Sequence, residues 1–329
     1  MSNKITTRNL AEGVILAALA AIFLLAGNLP FIGLFVLLFS SIPVTVATVR
    51  NKPMVGALTA VLATLIVGLL FGPITAISGG LQYMLLGWVL GYMLYHHRSG
   101  SKTIQAGVIT SALAAVAILL MSLALMGFPP DAIAAGLESY KTEMLNMYQT
   151  TGMIDMMTQQ GLSKTQVMDM LQQTMQMVIN LMPAILIISR AVMAVITYFL
   201  TIQVLKKLRI RVPRIQNFQK WGLPFAAVWG LIVVWALWLA ADYINIGWLN
   251  ILALNCMIIY GALLVLDGFA LTCYWFKLDQ MSTGMKLVCA LFVLFFFTGF
   301  LIACVLMGLA DLLFDFRKLR VDNKRVRKG

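Results

Sequence analysis

Lys206-Lys207-Leu208-Arg209-Ile210-Arg211-Val212-Pro213-Arg214-Ile215-Gln216-Asn217-Phe218-Gln219-Lys220 gathers six cations around one proline, with long apolar runs on both sides. Clustered Lys and Arg beside a span stay on the cytoplasmic face, because carrying each across a bilayer costs several kcal/mol. This hinge (209–220, with Lys206 and Lys207 before it) is therefore expected in the cytoplasm. It divides the chain into about six spans before it and two to three membrane segments after it.

The composition agrees with that reading. Of 329 residues, 61% are hydrophobic and 11% charged, and the mean hydropathy is +0.92, values that a soluble domain could not carry without aggregating. The net charge of +12 sits in short connections and at the two ends, never as a basic face with interleaved aromatics. It follows the positive-inside rule and attraction to anionic headgroups, and nucleic acid is not an expected partner. Cys256, Cys273, Cys289 and Cys304 all lie within apolar runs after the hinge, without pairing-type spacing or a nearby histidine, and read as small buried hydrophobes.

Taken in order, the apolar runs predict spans at about 10–27, 31–49, 53–71, up to 95, 103–127 and 175–205, then 221–241, 249–276 and 287–313. The connections at Arg50-Asn51-Lys52 and His96-His97-Arg98 are basic, whereas those at Asn28 and Gly72 carry no charge. Positive inside then places the N-terminus in the cytoplasm, with the segment 128–175 outside. That outer segment is rich in Met and carries apolar side chains at helical spacing, which predicts amphipathic helices broken near Gly152 and Gly161. Nine crossings from an inside start would leave the basic tail 314–329 outside, against its own charge. The Asp267-Gly268 pair makes the eighth segment the suspect for a broken or re-entrant helix, and eight and nine spans both stay open.

Arg190 falls near the centre of the sixth span, where a guanidinium must face the bundle or a wet cavity. Glu12, Asp267 and Asp311 are its candidate carboxylate partners, and a structural ion pair and an anion-binding ligand site both fit it. Asp267 and Asp311 are expected to cap helices, or to pair with Arg190 or with the basic tail. Gln82, Gln203, Asn250 and Asn255 read as hydrogen bonders between helices. The Met153-x-x-Met156-Met157 spacing would suit Cu(I), but no Cys or His accompanies it and an adaptable apolar lid is the simpler use. With no phosphate-cradling glycine motif, no zinc signature and no Ser/His/Asp set, the chain is expected to be no enzyme and to hold no metal or cofactor.

Gly13, Ala17 and Ala21 place small residues four apart on one face of the first span. There follow a second span ending Ser41-Ile42-Pro43, a third ending Gly72-Pro73, and a fourth with Gly79, Gly80, Gly87 and Gly91. This order resembles the S components of energy-coupling-factor (ECF) transporters, membrane subunits that bind a small molecule. That resemblance implies an S-component-like six-helix bundle over 1–208, followed by additional membrane helices over 221–313. It also implies that Gly13, Ala17 and Ala21 dock on a transport scaffold and that the Met-rich segment covers a pocket. With the closing Gly308-x-x-Asp311 and Phe316-Arg317-Lys318, the whole chain is similar to the YybS-like (DUF2232) bacterial membrane proteins. The expected fold is thus an all-α polytopic membrane protein with Arg190 and Asp267 as its ligand-site candidates. The expected function is that of a small-molecule-binding, transport-related subunit working with a scaffold and an ATPase, the alternative being a scaffold or regulator that binds a partner protein.

Overall fold

A computed structural model describes residues 6–27, 29, 32–125, 130–159, 161, 163–213, 217–244, 246–276 and 281–317. The expected uncharged connection at Asn28, the hinge cation Arg214 and the tail cations after Arg317 fall outside these residues. All regular structure among them is helical, and eight helical stretches are long and apolar enough to cross a membrane. The chain divides into two compact units, 1–162 with 186–215 and 163–185 with 216–329.

In the first unit, α1 (Thr7–Ala26) is followed by α2 (Gly33–Ser40) and α3 (Ile42–Asn51), which run back along it. Phe23 meets Phe39 at one end of this hairpin, with ring centroids 6.3 Å apart, and Arg50 pairs with Glu12 at 3.0 Å at the other. The second expected span is thus two short helices joined at Ser41, where Pro43 opens α3. α4 (Pro53–Phe71) lies against the small-residue face of α1: the Thr59 hydroxyl donates to the Gly13 carbonyl at 3.2 Å, and Ala17, Ala21, Ala63 and Val67 share one buried cluster.

α5 (Pro73–Gly79) passes through a π-helical turn (Gly80–Met84) into α6 (Leu85–Tyr95). The glycines of this stretch admit α3. A Cβ on Gly87 would stand 2.4 Å from the Ser41 carbonyl oxygen and one on Gly91 2.5 Å from Thr48, whose hydroxyl likewise blocks any side chain at Gly56 of α4. Close approach lets the Thr45 hydroxyl donate across to the Gly87 carbonyl at 2.8 Å. α7 (Gly100–Leu125), α8 (Pro130–Thr150) and α9 (Met153–Gln159) follow. The predicted breaks in the outer segment occur: Gly152 (φ 70°) and Gly161 (φ 94°) adopt the left-handed backbone that glycine tolerates.

α10 (Lys164–Lys207) contributes to both units and differs from expectation, because the outer amphipathic helix and the sixth span are one helix of 44 residues. Pro183 lies inside it. A proline there has no N–H and disrupts the next rung of the helix ladder. In the second unit Asn255 bridges the backbone across this proline: its Oδ1 accepts the Ala184 N–H at 2.8 Å, and its Nδ2 donates to the Asn180 carbonyl at 2.7 Å. One side-chain amide thus supports the two backbone groups that flank Pro183 a turn apart.

The second unit continues with α11 (Ala227–Ile244), α12 (Gly247–Trp275), α13 (Thr283–Phe295) and α14 (Phe297–Phe314). The suspected interruption at Asp267-Gly268 is absent: α12 is continuous, and Gly268 is the point of closest contact with α14. A Cβ on Gly268 would stand 1.8 Å from the Cys304 carbonyl oxygen, and one on Gly308 2.1 Å from that of Leu264. The break falls at Phe296 instead, within the expected ninth segment. Residues 264–268 of α12 and 304–308 of α14 meet at these glycines, and positions further along each chain segment meet where Trp275 faces Phe316 with centroids 5.8 Å apart. The two helices therefore run in the same direction, and the chain between them must return roughly 25 Å at 1.5 Å per residue. α13 lies in that return, so α14 ends where α11 begins.

Candidate functional site

Within the first unit, a cavity of about 220 Å³ opens between the C-terminal end of α1, the α5–α6 stretch, α7 and Arg190 of α10. Its walls are apolar at Leu24, Leu37 and Ile118, and polar at Thr75, Ser78, Gln82, Tyr83 and Arg190. Gln82 and Tyr83 both come from the π-helical turn, whose extra residue widens the helix locally, a device frequent at functional sites.

Arg190 is half-buried, and its Nη1 donates to the Tyr83 hydroxyl at a long 3.4 Å. Among the described residues no carboxylate lies within ion-pair distance of it. Gln82 is 4% exposed; its Nε2 donates to the Ser111 hydroxyl at 2.9 Å, while its Oε1 is buried with no hydrogen-bond partner. The Ser78 and Thr75 hydroxyls donate to the Thr75 and Phe71 carbonyls, leaving oxygen lone pairs on the cavity wall. The site therefore offers one positive charge to whatever enters, and one of its lining residues carries a buried, unmet acceptor. No residue of the Met-rich segment lines it among the described residues.

The other sequence candidates lie elsewhere. Asp267 belongs to the second unit, where Arg317 binds it and also holds Asp311 through Nε and Nη2 at 3.1 and 2.6 Å. Of the partners considered for these carboxylates, the basic tail is the one found, and Glu12 is taken by Arg50. Arg317 donates as well to the carbonyls of Gln219, at 3.1 Å, and Trp221, tying the end of α14 to the end of the hinge. Gly13, Ala17 and Ala21, expected on a docking face, are buried against α4 inside the first unit. Small residues that allow close helix approach are here used within the chain.

α10 is about 66 Å long, twice a hydrocarbon core of ~30 Å. Arg190 stands about 25 Å along its axis from Lys206 and Lys207. Tyr83 and Ser78 carried no signal of their own in the sequence. The Gly79-Gly80 pair ahead of the π turn was the visible hint.

Fold and charge distribution define an all-α, multi-pass membrane protein with a small polar cavity in its first unit. The chain belongs to the family of predicted membrane proteins designated DUF2232, whose model matches residues 17–312. No curated protein and no solved structure matches it. The likeness to S components therefore rests on the order of spans and glycines alone.

Proposed function

We propose that the first unit is a receptor for a small anionic molecule, transport-related in the manner of an S component and dependent on other chains for any energised step. The observation that carries this reading is Arg190: a half-buried guanidinium with no carboxylate in reach among the described residues, lining a cavity together with Tyr83 and with Gln82, whose buried oxygen is unmet. Burying a charge is costly unless it is paired, and a bound carboxylate or phosphate oxygen is the natural partner for a guanidinium fork. Native mass spectrometry of the protein released from mild detergent is expected to show a small ligand on the wild type. Arg190→Gln is expected to weaken its binding at least about tenfold, the loss of one charge-assisted hydrogen bond of ~1.5–3 kcal/mol. Lipid alone on both proteins counts against the receptor.

The cavity sits at the C-terminal end of α1, whereas Arg50, His97 and Arg211 cluster at the other end of the same unit. Positive inside makes the basic end cytoplasmic and the cavity outward-facing. Within the second unit Arg317 on the Gln219 carbonyl brings the start of the basic tail to the end of the hinge, and the same charge rule assigns both to the cytoplasm. A reporter fused after Gly329 is expected to be active only in its cytoplasmic form; an extracytoplasmic signal would refute this arrangement.

A scaffolding role keeps one supporting observation. α13 buries no residue and α11 buries only Ala241, leaving long apolar faces in the second unit. A protein that co-purifies in fixed ratio and is released by polar substitutions at Trp229 or Phe292, with Arg190→Gln silent, would favour it.

A further inference from the structure

Building on the receptor reading, we infer that the ligand of the Arg190 cavity is a small monocarboxylate carrying an uncharged hydrogen-bond donor, with an apolar segment between the two. Three features of the wall select this class. Among the described residues Arg190 is the one cationic side chain lining the cavity, so it balances a single negative charge. A phosphate monoester would leave surplus charge in a poorly hydrated site, which is costly.

No Asp or Glu among the described residues lines the cavity either. A ligand ammonium would be desolvated without a counter-charge, so free amino acids are disfavoured. The unmet group of a lining residue is an acceptor, the buried Gln82 Oε1, whose amide is held by the bond from Nε2 to Ser111. A buried acceptor without a partner costs about 1–3 kcal/mol, and a ligand hydroxyl or amide N–H relieves it. Leu24, Leu37 and Ile118 lie along the remaining wall, which suits a short hydrocarbon linker. The volume of about 220 Å³ corresponds to roughly seven to twelve non-hydrogen atoms, taking a water's share of ~30 Å³ as the gauge.

The test uses the full-length protein in mild detergent and four probes of matched length: ω-hydroxyhexanoate, hexanoate, ω-aminohexanoate and hexyl phosphate, titrated calorimetrically. ω-Hydroxyhexanoate is expected to bind about tenfold tighter than hexanoate, the worth of one satisfied buried hydrogen bond. The amino and phosphate probes are expected to be weaker than both. Gln82→Leu should erase the preference for the hydroxyl while leaving hexanoate binding in place, and Arg190→Gln should lose all carboxylates. If Gln82→Leu does not fold, the ranking of the four probes on the wild type decides alone. Arg190-dependent binding that favours hexyl phosphate, ω-aminohexanoate or plain hexanoate overturns this ligand class while keeping the receptor. Absence of any Arg190-dependent binding overturns the receptor reading itself.

Discussion

Replacing Asn255 with leucine is expected to destabilise the second unit by roughly 3 kcal/mol, as two buried backbone groups lose their partners at about 1–3 kcal/mol each. Those groups are the Ala184 N–H and the Asn180 carbonyl, which flank Pro183 and which the Asn255 amide bridges. Ala184 is fully buried and Asn255 is 5% exposed, so water is a poor substitute. Within a membrane the backbone must be satisfied by the protein itself. The same reasoning makes the effect conditional on the proline. Pro183→Ala lets α10 close its own ladder, so Asn255→Leu in that background should cost about 2 kcal/mol less. A double-mutant cycle on thermal unfolding in detergent measures this coupling. Equal costs in both backgrounds would show that Asn255 acts through packing and not through the open rung.

Arg317→Leu is expected to be the most damaging single change in the chain, about 3–5 kcal/mol, the usual cost of removing one member of a buried ion cluster. It leaves the carboxylates of Asp267 and Asp311, both 4% exposed, side by side without a cation, and it also frees the carbonyls of Gln219 and Trp221. The damage should therefore include a loosened hinge, read as faster proteolysis after Lys220. Adding Asp267→Asn and Asp311→Asn to Arg317→Leu should recover most of the thermal stability, because a buried ion cluster replaced whole is close to neutral. Protection of the hinge should not return, since the triple variant still lacks the donor to its carbonyls. Full recovery of both would mean that the guanidinium serves only charge balance.

These two clusters mark the boundary between what one dimension of information holds and what it does not. Hydropathy alone determined that the chain is an all-helical, multi-pass membrane protein, because a bilayer admits few alternatives for apolar runs of this length. Local chemistry also placed the breaks at Gly152 and Gly161, where a positive φ needs only the residue that occupies it. It identified Arg190 as a charge in need of an explanation, and Gly13, Ala17 and Ala21 as a close-packing face. The partners were another matter. Asp267 and Arg317 are 50 positions apart, Gln82 and Ser111 29, and Asn255 and Asn180 75, and nothing in the spacing of the chain selects one such pair over its rivals. Only the tertiary structure decided that the α1 stripe packs against α4, that Asp267 answers to the tail and not to Arg190, and that Asn255 mends the proline break. The physical reason is the range of the forces involved: burial is set by each residue's own chemistry and that of its helical neighbours, whereas hydrogen bonds and ion pairs act over a few ångströms between groups that only the packed bundle brings together.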